Sequence, residues 1–125
     1  MIKIYLAGGL NTGWQDEILG IEEGYTYIDP RAWQSGATPE QYTARDLAAI
    51  EDSHWVIAYM DSKNPSGFGL SVEIGYAKAL RKKIIFVDLM KNDYRSRYFD
   101  MHRCMCDHIV YTIDELKSWM SHPQF

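Results

Sequence analysis

Residues 55–88 read WVIAYMDSKNPSGFGLSVEIGYAKALRKKIIFVD. Two short runs, 55–60 and 84–88, are apolar and rich in β-branched and aromatic residues, the composition of buried strands. Between them lie a loop carrying Pro65, Gly67 and Gly69 and a segment, 68–81, of helical length. Strand, helix and strand in that order form a βαβ unit, whose two strands run parallel. Working outward, the alternation repeats. Strands are predicted near 2–7 (IKIYLA), 25–28 (YTYI) and 108–112 (HIVYT), and helices near 14–23, 39–52, 94–105 and 113–120. Thr112 or Asp114 can cap the last helix. The pattern predicts an α/β fold built on a parallel sheet.

Turn-forming residues punctuate the strand ends: Gly8-Gly9 after the first strand, Asp29-Pro30 after the second, Asp61 through Gly69 after the third and Asp88 after the fourth. In an open α/β sheet, ligands bind outside the carboxyl ends of the strands, where the winding direction reverses. The chemistry is expected there. Residues 34–38 read as a loop, and no internal repeat, low-complexity segment or linker interrupts the chain. The expectation is a single domain over residues 1–120, with 121–125 (SHPQF) resembling the front of a streptavidin-affinity tag.

Composition narrows the partners. The chain has 125 residues, 46% hydrophobic and 24% charged, a balance that suits one buried core. A net charge of −4 disfavours a nucleic-acid backbone or an anionic membrane as the main partner, and points to small molecules. No apolar run approaches the roughly 20 residues of a membrane span, and the start MIKIYLAGG lacks signal-peptide features. Cys104 and Cys106 stand too close in sequence for an ordinary structural disulfide. A cytoplasmic location is expected. His102, Cys104, Cys106 and His108 alternate in HRCMCDH, but zinc sites usually draw more widely spaced pairs from two segments, so no metal is expected.

Glu73 opens the case for chemistry. Leu70 and Ala77, at i−3 and i+4, share its side of the helix, so its carboxylate faces the protein. Burial raises the pKa of such a group, while backbone N–H groups and the helix dipole favour the anion. A partly desolvated carboxylate at a strand-end cleft suits nucleophilic attack; an acidic residue that merely complements the helix dipole fits the same pattern. Asp46 lies beside the Leu47 and Ile50 stripe of its helix and can reach the same cleft, or else stand solvated near Arg45. Tyr5, central in the first strand, needs a hydroxyl partner, either that carboxylate or a backbone group. Trp14, Trp33 and Tyr42 are placed to stack on a base or to pack. The glycines near 67–69 also allow a phosphate cradle, yet there is no Walker Lys-Ser/Thr pair and no GxGxxG after the first strand.

With YLAGG at 5–9, DLAAIEDSHWVIAYMD at 46–61 and GFGLSVEIGYAKAL at 67–80, the chain resembles the nucleoside 2-deoxyribosyltransferase family over about residues 2–112. The E-[IL]-G-Y-A segment is the specific part. The resemblance implies a flavodoxin-like, Rossmann-like open sheet of five parallel strands, order 2-1-3-4-5, with helices on both faces. It implies exchange of nucleobases between 2′-deoxynucleosides through a covalent glycosyl-enzyme intermediate, with no cofactor. Residue by residue, it makes Glu73 the nucleophile, Asp46 the proton donor and acceptor for the base, and Tyr5 the group that orients the nucleophile. Gly8, Gly9, Trp14, Asp61, Asn64, Ser66, Gly67 and Gly69 are then candidates to contact substrate.

Two departures stand out. An aspartate that helps hold the sugar hydroxyls is common six residues before the nucleophile, and here the position is Gly67. Related 5′-monophosphate N-hydrolases tend to place serine in this loop to receive a phosphate, a role open to Ser66. The position commonly aspartate before the third strand is His54, read as structural. The family also implies a dimer-based homo-oligomer in which a neighbouring subunit completes the sugar pocket from the stretch 92–101, with Tyr98 and Asp100 as candidates.

Overall fold

The computed structural model describes residues 1–21, 24–63 and 67–125. The chain runs β1 (Ile2–Ala7), α1 (Trp14–Leu19), β2 (Tyr25–Ile28), α2 (Arg31–Gln34), α3 (Pro39–Asp52), β3 (Trp55–Met60), α4 (Phe68–Ala79), β4 (Lys83–Asp88), α5 (Asp100–Met105), β5 (His108–Val110) and α6 (Ile113–Ser121). The five strands pair in the order β2-β1-β3-β4-β5, and every pairing is parallel. The α/β class and the strand order expected from sequence are those found. Winding reverses beside β1, which pairs Tyr5 with Ile28 of β2 on one side and with Val56 of β3 on the other.

Strict alternation in the central strands divides the core in two. Tyr5, Ala7, Val56, Ala58, Met60, Ile84 and Phe86 face α3, α4 and α5, where Ile50, Leu70, Ile74 and Ala77 meet them. Ile4, Leu6, Ile57, Tyr59, Ile85 and Val87 face α1 and α6, where Trp14, Ile18, Leu116 and Met120 close the second layer. Both faces of the central strands are thus buried, the usual condition of a parallel sheet. Among the described residues no helix is long and apolar enough to cross a membrane.

Helix ends follow local chemistry. Thr38 and Gln41 form a reciprocal capping box at the start of α3, with Pro39 in the first turn. Thr112, rather than Asp114, caps α6 by accepting from the Glu115 N–H. Three helical expectations change. The first helix stops at Leu19 instead of running to 23; residues 22 and 23 lie outside the described chain. The stretch 94–105 divides into a 3₁₀ turn, Ser96–Phe99, and α5, because Asp93 takes the Arg95 N–H and holds the chain in a turn. Arg31–Gln34 forms α2, so the loop expected over 34–38 begins at Ser35.

The end of α4 carries backbone strain. Lys82 N–H bonds the Ala77 carbonyl and Arg81 N–H the Lys78 carbonyl, with Arg81 between them at φ 60°. Left-handed backbone suits glycine and costs an L-residue roughly 1–2 kcal/mol. Arg81→Gly is expected to stabilise the fold by about 0.5–1 kcal/mol, net of the entropy glycine adds to the unfolded chain, as a rise in the urea midpoint at constant m-value.

Candidate active site

A cavity of about 390 Å³ opens at the carboxyl ends of β1 and β2, on the face covered by α3 and α4. Its size is that of a small-ligand site. The lining comes from four stretches: Tyr5 with residues 8–11, Pro30 with Gln34, Tyr42 with Asp46, and Gly69 with Leu70 and Glu73. This is the place where the sheet reverses its winding.

Glu73 stands in the second turn of α4, past the first turn where a helix dipole acts most strongly. Its carboxylate accepts a hydrogen bond from the Tyr5 hydroxyl, which reaches across from β1. Burial pushes the Glu73 carboxyl up to about 7; the Tyr5 hydrogen bond opposes this rise, and the negative charge of Asp46 adds to it. Tyr5 itself is held far above the ordinary phenol range, by burial first and by the Glu73 charge second, so it stays a neutral donor. Asp46 is also raised by burial, against the hydrogen bonds of Trp33 and Gln34. Trp33 Nε1 lies 2.8 Å from Asp46 Oδ1, and Gln34 Nε2 lies 3.2 and 3.3 Å from the two carboxylate oxygens.

Backbone geometry sets this arrangement. Gly8 has φ 155°, and a Cβ there would stand 2.7 Å from the Tyr59 carbonyl oxygen and 3.0 Å from the Trp14 ring, so a side chain does not fit. Gly67 starts α4 in left-handed conformation at φ 58°, where a Cβ would meet Met60 at 2.8 Å and Phe99 at 3.3 Å. Left-handed backbone there is strained for a side chain, and a Cβ would also displace the Met60 methyl, which accounts physically for glycine at this position.

The structure brings Tyr5, Gly8, Gly9, Asp46, Gly69 and Glu73 to one cavity. It does not bring Trp14, which is buried, stacks on Tyr59 with ring centroids 4.6 Å apart and donates its indole N–H to the Gly9 carbonyl. Trp14 is a support for the Gly9 turn rather than a surface for a base. Trp33 donates its indole N–H to Asp46 and does not line the cavity, whereas Tyr42 does. Asp61, at the end of β3, accepts from the Lys63 N–H and lies outside the lining, and Gly67 serves at the helix start. Asn64 and Ser66 fall outside the described residues. Tyr98 and Asp100 are exposed and away from the cavity, Asp100 pairing with Arg103 at 3.0 Å.

Leu10, Asn11, Pro30 and Gln34 line the cavity without having been singled out. The turn signals after the first two strands mark where they sit. His54 joins β1 through the Lys3 N–H at 2.9 Å. His102 packs by Phe86 and Phe99 on one side of the sheet, while His108 stacks on Trp119 on the other, so HRCMCDH does not converge.

No family model matches the sequence, and no curated protein matches it. Solved structures do. The fold is similar to that of a 2-deoxyribosyltransferase from Leishmania mexicana, with TM-score 0.73 and 16% identity over 99% of this chain and 100% of that one. It is similar to a conserved protein from Enterococcus faecalis, with TM-score 0.70 and 14% identity over 99% of both chains. It is also similar to a CMP N-glycosidase from Clostridium botulinum, with TM-score 0.64 and 22% identity over 95% of this chain and 98% of that one. The likeness is one of fold.

A folded-state pKa near 7, against an ordinary 4.5, means that burial of Glu73 favours its neutral form. Its contribution to stability is complete below about pH 4.5 and is lost as pH rises through about 7. Glu73→Gln, still able to accept from Tyr5, is therefore expected to gain up to about 3 kcal/mol over the parent at pH 8 and little at pH 4. Urea midpoints at the two pH values check this; parallel pH dependences in parent and variant would refute it.

Proposed function

We propose that this chain is an enzyme of the N-glycosidic bond, a nucleoside 2-deoxyribosyltransferase that exchanges nucleobases between 2′-deoxynucleosides. The observation that carries this reading is the Tyr5–Glu73 hydrogen bond beside Asp46 in a single cavity. Two carboxyls with different partners can divide attack and proton transfer between them.

The ionised Glu73 attacks C1′ of the deoxyribose, and the electron pair of the breaking C1′–N bond goes to the ring nitrogen of the base. Protonated Asp46 gives that nitrogen its proton. Tyr5 fixes the Glu73 carboxylate in the attacking orientation. In the second half-reaction Asp46 takes a proton from an incoming base, whose nitrogen attacks C1′ and expels Glu73. Two inversions give net retention. No step calls for a cofactor. Gly8, Gly9 and Gly69 let backbone approach the ligand closely.

The 5′-monophosphate N-hydrolase reading starts from the same covalent intermediate but resolves it with water. The similarity to a CMP N-glycosidase favours keeping it, with Ser66 as the candidate phosphate contact. A further part of the proposal is that Tyr98 and Asp100 complete the pocket of a neighbouring subunit in a dimer-based homo-oligomer. Phe68, Val72, Tyr98 and Met101, all strongly exposed, support it as surface that association would cover.

Incubation with a deoxynucleoside and a different free base is expected to yield the swapped nucleoside; release of free sugar alone, with or without acceptor, overturns transfer. A marked rate gain from a 5′-phosphate would select the hydrolase. Glu73→Ala is expected to abolish turnover with the fold intact, Asp46→Asn to reduce it strongly, and Tyr5→Phe to reduce it about tenfold to a thousandfold. Retention of most activity in Glu73→Ala would sink the mechanism.

A further inference from the structure

Asp46 does not meet the cavity unaided. Its Oδ1 accepts from Trp33 at 2.8 Å and from Gln34 at 3.2 Å, whereas Oδ2 has only the longer Gln34 contact at 3.3 Å. Both donors sit on α2, and α2 is itself tied down. Arg31 donates its backbone N–H and its guanidinium to Asp29 at the end of β2, and also reaches Asp16 on α1 at 2.8 Å. The Trp33 backbone N–H bonds the Pro30 carbonyl, and the Trp33 ring packs against the core.

An indole N–H only donates, and in one direction. It cannot take a proton from the acid or turn to become an acceptor, as a hydroxyl can. Of two carboxyl oxygens, the one already receiving two N–H donors is the poorer place for the acid proton. That leaves Oδ2.

We propose that Trp33 is a positioning residue for Asp46: its indole N–H keeps Oδ1 as the standing acceptor and leaves Oδ2 as the oxygen that gives up and recovers the proton. The inference rests on the glycosyl-transfer reading above. When the C1′–N bond breaks, the leaving nitrogen takes its electron pair and the Oδ2 proton. The carboxylate so formed keeps both N–H donors, and it then removes a proton from the incoming base. Trp33 therefore stabilises the state that Asp46 reaches on giving up its proton.

Among the described residues, the titratable groups that share the cavity with Asp46 are Glu73 on α4, Tyr5 on β1 and Tyr42, one turn earlier on α3. Arg31 on α2 is engaged by Asp29 and Asp16. Elsewhere along α3, Tyr76 of α4 bonds Glu51 and Lys3 of β1 pairs with Asp52. Removing the Trp33 N–H takes a donor from the charged form of Asp46, so the carboxyl should hold its proton to higher pH.

Trp33→Phe keeps an aromatic ring in this half-buried place. The Asp46 carboxyl carbon, followed by NMR titration, is expected to titrate roughly one to two pH units higher than in the parent, with no parallel rise for Glu73. In base exchange, kcat is expected to fall about tenfold to a hundredfold, and one limb of the pH profile to move upward. A purely structural Trp33 would lower the rate with both titrations unmoved, and that result overturns the proposal. If the parent protein neither exchanges nor hydrolyses nucleosides, the glycosyl-transfer reading fails separately, while the titration still decides whether Trp33 governs Asp46. Should Trp33→Phe fail to fold, 3-benzothienylalanine at position 33, which replaces the N–H by sulfur in a ring of the same shape, gives the same decisive titration.

Discussion

A carboxylate drawn out of water beside a second carboxylate needs a donor, and for Glu73 that donor is the hydroxyl of Tyr5. The bond joins the strand at which the sheet reverses to the helix leaving the next strand over. Tyr5 is fully buried, so its hydroxyl is delivered to one place. Glu73 meets it because the left-handed Gly67 starts α4 close against Met60 and Phe99. Leu70, Ile74 and Ala77 then press the same helix face onto the sheet. Packing thus fixes both ends of the hydrogen bond before any ligand is present, the condition for preorganised chemistry.

The two carboxyls of the cavity differ in what surrounds them. Glu73 receives one neutral donor that opposes the effect of burial without cancelling it, and its carboxyl is pushed up to about 7, available as an anion but poorly solvated. Asp46 receives two N–H donors from a short helix braced by an ion pair. One group is suited to attack and the other to exchanging a proton at a fixed point. Glu73 also feels the negative charge of Asp46, which adds to the rise that burial causes. Protonation of Asp46 eases ionisation of Glu73, which is the combination of states the proposed first step uses.

Much of this was legible in sequence because it follows from the order and spacing of apolar runs. Apolar runs such as IKIYLA, WVIAYM and IIFVD, separated by helical lengths, mark the parallel sheet, and the i−3 and i+4 neighbours of Glu73 mark the direction of its side chain. The strand order and the pairing of Glu73 with Asp46 and Tyr5 drew on the family resemblance. What escaped has equally physical causes. Four residues are too few for a helical period to show, so α2 and the support it lends Asp46 were invisible. Trp14, expected to contact substrate, does not line the cavity: its indole N–H satisfies the Gly9 carbonyl and its ring stacks on Tyr59, and neither contact leaves a mark in local sequence. The helix expected over 94–105 gave way to an Asp93 turn because a side-chain hydrogen bond won over helical propensity.

The outcome of the proposed reaction turns on the covalent intermediate rather than on its formation. Base exchange and hydrolysis share the first half: attack by Glu73 and departure of the base with a proton from Asp46. They diverge in what Asp46 next deprotonates. A nucleobase can fill the space its predecessor vacated and present its nitrogen to the same carboxylate, whereas water must be activated in an otherwise empty pocket. The described lining includes two carboxyls and no lysine or arginine, and the nearby Arg31 is held by Asp29 and Asp16. Two carboxyls in the described lining are compatible with uncharged nucleosides and bases. The two proposed outcomes thus differ in which nucleophile Asp46 deprotonates while C1′ is still bound to Glu73.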